Sequence, residues 1–102
     1  MTKQQKLIAL AKLDGFEIIN ERYGMLGKAC LDYPNYLTNG DEIRRLIGKV
    51  LDTDLKQKFL IALKSILHIP CGAFAHEWFL IVTATPEQLA EALLKATGNW
   101  VE

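Results

Sequence analysis

The chain has 102 residues, half of them hydrophobic, with 12 basic and 12 acidic side chains and no net charge. That length suits one compact domain, 1–102, with a real core and no second domain. The interspersed charge excludes the basic face of a nucleic-acid binder and the acidic face of a DNA mimic, so no direct nucleic acid binding is expected.

The first expected helix spans Thr2 to Leu13. Thr2 with Gln5 makes a capping box, and Gly15 sits where a helix end wants a positive φ. Leu7, Ile8, Leu10 and Ala11 supply its buried stripe. "FEIIN" reads as a strand. "ERYGMLGK" carries two glycines and reads as a hairpin loop, and "ACLDY" as the returning strand, with Ala29, Leu31 and Tyr33 on one face. Asp32 and Pro34 suit an edge position.

Asn39 with Glu42 marks the second helix, and Asp41 puts negative charge at its positive end. Ile43, Leu46, Ile47, Val50 and Leu51 follow the spacing of a buried stripe. Arg44, Arg45 and Lys49 face away from it. Thr53 is the expected cap of a third helix running to about Leu67. Its apolar set is wide (Leu55, Phe59, Leu60, Ile61, Ala62, Leu63, Ile66, Leu67), so it needs cover on more than one side.

"HIPCGAFAHE" is a turn-rich loop, and "WFLIVTA" is the strongest strand signal in the chain. Trp78 to Val82 does not alternate, and a strand apolar on both faces must be buried on both. Helices are therefore expected on both sides of a small sheet. In the last helix Thr85 is the cap, Pro86 the first residue, and Gln88 completes the capping box. Leu89, Ala90, Leu93, Leu94 and Ala96 face inward, Gly98 ends the helix, and Trp100 folds back as an apolar lid. The fold class is α+β: a three-layer α/β/α sandwich, with a sheet of two to three strands covered by about four helices.

"LDGF" at Leu13 to Phe16, "PNYLTN" at Pro34 to Asn39 and "ATPEQLAEALL" at Ala84 to Leu94 resemble the landmarks of the phage ABA sandwich domain family. In that family a helix ends in Asp-Gly-aromatic, a Pro-x-Tyr-x-Thr stretch enters the second helix, and a strand runs into Ala-Thr-Pro-Glu. Order and spacing match over nearly the whole chain. Phe16 stands where the family usually shows Trp, and the loop from His68 to His76 is longer than usual. The resemblance implies α/β/α layering and a phage or prophage origin, and it implies no known activity.

Two cysteines, Cys30 and Cys71, make no disulfide framework. No signal peptide is read at Met1, no apolar run approaches the roughly 20 residues of a membrane span, and a cytoplasmic protein of the host bacterial cell is expected. Reactive signatures are sparse. The lone serine, Ser65, has no nucleophile elbow, and no phosphate-binding glycine loop is present. The best enzymatic set is His68, Cys71, His76 and Glu77, as an activated thiolate or, with Cys30, a zinc site. Its irregular spacing fits better with a buried small cysteine and polar loop histidines, so no enzyme, metal or other cofactor is expected. Asp14 and Glu17 read as solvated surface rather than as an acid–base pair. Tyr33, Tyr36, Trp78 and Trp100 read as core and lid rather than as base-stacking platforms.

A small accessory protein that binds a host or phage protein is the expected function, most concretely as an inhibitor of a bacterial defence or regulatory complex. The alternatives are a metal- or thiol-dependent enzyme centred on His68, Cys71 and His76, or a homo-oligomeric structural phage component. A homodimer is compatible with the sequence. The working surface is expected in the irregular segment from Arg22 to Tyr36: Tyr23, Met25, Leu26 and Tyr36, with Arg44 and Arg45 beside it. The competing reading folds Met25 and Leu26 inward over the first helix, and solvent exposure decides between them.

Overall fold

The computed structural model describes residues 1–50, 53–68 and 83–100. Helix α1 spans Lys3–Leu13. Thr2 caps it as expected: its hydroxyl accepts from the Gln5 N–H at 3.1 Å, and the Gln5 side chain accepts from the Thr2 N–H at 2.9 Å. It ends in a Schellman motif. Gly15 has φ +99, its N–H reaches Lys12, and the Phe16 N–H reaches Ala11. That wrap turns Phe16 back into the core, where the hydrophobic contact of such a motif belongs.

The chain then forms an antiparallel meander of β1 (Glu17–Ile18), β2 (Tyr23–Leu26) and β3 (Ala29–Asp32), in the order β1-β2-β3. Sequence reading placed a single loop at "ERYGMLGK". The structure instead puts a strand inside it, because that stretch is bounded by two separate reversals. At the first, the Asn20 side chain accepts from the N–H groups of Arg22 and Tyr23 at 2.7 and 3.0 Å, which also stops β1 short. At the second, Gly27 has φ +64 and joins Leu26 to Ala29 through two residues, as a tight hairpin with glycine leading requires. Among the described residues β3 lies at the sheet edge, as Asp32 and Pro34 suggested.

Helix α2 spans Gly40–Val50. Asn39 caps it, its side-chain oxygen accepting from the N–H groups of Asp41 and Glu42. Ile43, Leu46 and Ile47 are buried as the spacing demanded. Helix α3 spans Thr53–Ile66 and buries Phe59 and Leu63. Its apolar face is narrower than expected: Ile61 is 66% exposed. His68 follows it with φ +58, and its N–H reaches the Ser65 carbonyl. A histidine thus holds the left-handed position usually given to glycine.

Helix α4 spans Pro86–Ala96 and is the centre of the molecule, packing against α1, α2 and α3. Thr85 and Gln88 form the expected capping box. Leu89, Ala90, Ala92, Leu93, Leu94 and Ala96 are all buried. Apolar side chains around most of a helix demand cover on several sides, and the alanines let neighbouring helices approach closely. Gly98, at φ +79, closes a second Schellman motif, with N–H groups of Gly98 and Asn99 on the carbonyls of Lys95 and Leu94. Trp100 then lies half-buried against the core, the Lys6 and Lys95 amines 5.2 and 5.3 Å from its ring centroid.

The described residues thus form an α+β fold in which four helices and a three-stranded antiparallel sheet pack together as a sandwich. The strand expected at Trp78 to Val82 lies outside the described residues, as does Leu51. No described helix is long and apolar enough to cross a membrane.

Candidate functional site

The register of the meander sorts its side chains onto two faces. Glu17 pairs with Met25 and Met25 with Cys30, and Tyr23 pairs with Asp32, so these five residues share one face. Ile18, Gly24 and Leu31 pair across the other.

The second face is the one turned to the core. Gly24 is buried, and a Cβ there would come within 2.9 Å of the Tyr33 ring and 2.5 Å of the Glu17 carbonyl. Tyr33 meets Phe16 edge to face at 5.4 Å, and its hydroxyl donates to the Asn20 carbonyl at 2.8 Å. Glycine at position 24 is therefore what lets a tyrosine lie flat over the strand.

The first face is open. Tyr23, Cys30, Glu17 and Asp32 are exposed, Met25 is half-exposed, and Ile19, just beyond β1, is 50% exposed. Tyr23 and Met25 are therefore accessible, as expected, but on a paired strand rather than in an irregular loop. Leu26 parts from them. It points to the opposite side, where its Cδ1 would be 3.7 Å from a Cβ at Gly15, and it is 38% exposed.

Tyr36 and Arg45 belong to another cluster. Tyr36 is fully buried, so in this fold it presents no surface to a partner. Its hydroxyl donates to Asp14 Oδ2 at 2.6 Å. Arg45 and Lys49 face away from the buried stripe, as expected, and are about half exposed, yet the outward-facing Arg45 is not simply solvated. Its guanidinium grips the same carboxylate with two nitrogens, at 2.7 and 3.1 Å, and also bonds Glu42. Lys49 likewise donates to Asp14 Oδ1 at 3.1 Å and to the Asp14 carbonyl at 2.6 Å. Asp14, read from sequence as solvated surface, is 2% exposed. Glu17 is exposed as expected. Arg44 is exposed on α2, its guanidinium lying back over Gly40.

Within this cluster Asp14 is ionised at neutral pH. Burial pushes the carboxyl pKa up, but hydrogen bonds from Arg45, Tyr36 and Lys49 outweigh it and hold it at about 2 against an ordinary 3.8. Burial, and the bond to that carboxylate, push the Tyr36 hydroxyl well above the usual tyrosine range. The bond to Asp14 likewise strengthens the proton affinity of Arg45. A carboxylate held that far below neutral pH is poorly matched to proton transfer. What the cluster does is tie the end of α1 to α2 and to the Pro34–Asn39 connection. The signal in sequence was the i, i+4 spacing of Arg45 and Lys49, two cations on one helix face with room for a single shared carboxylate between them.

Among the described residues, no three His, Cys, Asp or Glu side chains are placed to hold a metal. His68 is an exposed helix terminator and Cys30 an exposed free thiol. Cys71, His76 and Glu77 lie outside the described residues. A groove between α1 and the meander, about 470 Å³, is lined by Gln4, Leu7, Glu21, Arg22, Asp32, Tyr33, Pro34 and Asn35. Gln4 bridges its walls by donating to the Glu21 carbonyl. Compared with known proteins, the chain matches no family model, no curated protein and no solved structure.

Proposed function

We propose that this chain is a small phage or prophage accessory protein that acts by binding another protein, without catalysing a reaction of its own. Its working surface is the open face of the meander, centred on Tyr23 and Met25 with Ile19 beside them. One observation carries the reading: an exposed apolar and aromatic group sits on paired strands whose opposite face is anchored to the core. Tyr and Met are enriched at protein interfaces, and a surface that is already rigid loses little entropy on binding.

The target in its most concrete form is a bacterial defence or regulatory complex in the cytoplasm of the host cell. The resemblance of "LDGF", "PNYLTN" and "ATPEQLAEALL" to the phage ABA sandwich family supports that setting. Arg44 adds a cation on α2 able to take a partner's carboxylate. Tyr36 and Arg45 leave the surface assignment, since both are committed to Asp14.

The test is a comparison of tagged wild type and Met25→Asp as baits in bacterial host lysate at physiological salt. A protein retained by wild type and lost with a Met25→Asp bait of unchanged melting temperature supports the reading. Retention that ignores the substitution removes the sheet face from the site.

A further inference from the structure

The outer edge of β3 has a symmetry of its own. All four of its residues, and Lys28 before them, are exposed, and among the described residues nothing pairs with it. The Tyr33 N–H donates to the Arg22 carbonyl directly opposite it. In an antiparallel ladder that fixes the phase. Ala29, Leu31 and Tyr33 turn their backbone groups inward to β2, while Cys30 and Asp32 turn theirs outward.

An edge of unpaired N–H and C=O groups is a template for another strand. The register and charges of this one fit itself. We infer that β3 pairs with β3 of a second copy of this chain, antiparallel and centred on Cys30. A register centred on a residue, rather than between two, sets outward backbone groups against outward ones, and Cys30 is the middle of the exposed run from Lys28 to Asp32. That register places Lys28 of each copy across from Asp32 of the other, twice by symmetry. Opposite charges so placed stabilise the pairing, whereas like charges disfavour it. On the other face the same register sets Ala29 against Leu31, the latter 44% exposed in the single chain. The result joins the three described strands of each copy into one continuous sheet in which both open faces are contiguous.

The inference uses the edge of the sheet and stands apart from the proposed partner, which uses its face. Sedimentation velocity over a concentration series reaching the high micromolar range tests it, with each variant's fold checked by circular dichroism. Wild type is expected to show a reversible monomer–dimer equilibrium. Lys28→Asp and Asp32→Lys each set like charges opposite one another twice and should weaken it roughly tenfold. The double variant carrying both substitutions restores opposite pairs and should return to near wild-type association. Mild oxidation of the dimer with a copper–phenanthroline reagent should trap a Cys30–Cys30 cross-link, identified by peptide mapping, because directly paired residues stand within disulfide reach. A chain that stays monomeric throughout overturns the inference. So does a dimer indifferent to the single reversals, or one that the double variant fails to restore.

Discussion

Removing the Asp14 carboxylate breaks the ion cluster that ties the end of α1 to α2. In the native state its pKa is held at about 2, against 3.8 ordinarily. At about 1.4 kcal/mol for each tenfold in proton affinity, that difference stabilises the fold by about 2 kcal/mol at neutral pH. Because the native pKa is the lower one, the contribution is complete above about pH 4 and is lost as pH falls toward 2. Asp14→Asn keeps an acceptor for the Tyr36 hydroxyl but surrenders the charge, and should cost about 2 kcal/mol at pH 7. Asp14→Ala also strands that buried hydroxyl and should cost about 3 kcal/mol. Arg45 and Lys49 are about half exposed at 47% and 51%, so water can recover them, and the loss stays below that of a fully enclosed ion pair. Urea unfolding of the three proteins at pH 7 and pH 3 measures this. The gap between wild type and Asp14→Asn should shrink to about half at pH 3. An Asp14→Ala loss under about 0.5 kcal/mol at pH 7, or an Asp14→Asn gap that does not narrow at pH 3, would refute the reasoning.

Three further outcomes follow from the packing. Leu93→Ala, at a fully buried site on the central helix, should cost roughly 2–5 kcal/mol, and Thr85→Ala about 1 kcal/mol through the lost cap; in protein that stays folded, neither should abolish partner binding, which pull-down of the variants checks. His68→Gly should raise stability by about 0.5–1 kcal/mol in thermal or urea unfolding, by relieving a left-handed side-chain residue; a loss there would mean that the histidine makes a contact that matters. Gly24→Ala should destabilise sharply, since its Cβ meets the Tyr33 ring and the Glu17 carbonyl, and pairing it with Tyr33→Ala should recover only the part due to the ring.

Helices were the legible part of this molecule. Their caps are local: Thr2 with Gln5, Asn39, and Thr85 with Gln88 satisfy N–H groups within three residues, and Gly15 and Gly98 end helices by a conformation that their own residue type permits. The meander was read as one strand too few because its reversals depend on details that periodicity does not carry. Asn20 folds its side chain onto the next two amides, and Gly27 turns the chain within two residues. Ile61 shows a similar limit, since hydrophobicity alone does not say which side of α3 is covered.

The candidate site was half legible. The accessibility of Tyr23 and Met25 was legible, as large side chains in a segment with no core of its own. The burial of Tyr36 and the ion pair of Arg45 were not legible because both are set by Asp14, which lies 22 and 31 residues away from them in sequence. A long-range ion cluster leaves no local mark. Only the pairing of Arg45 with Lys49, one turn apart, hinted that a carboxylate lay between them.

The most direct test of the central claim is binding through the open face of the meander. Quantitative mass spectrometry of proteins retained from host lysate by wild type, Met25→Asp and Tyr23→Ala, all three matched for melting temperature, decides it. The account predicts a stoichiometric partner on wild type that falls at least about tenfold on both variants, as loss of a central anchor should produce. An identical retained set on all three would contradict it.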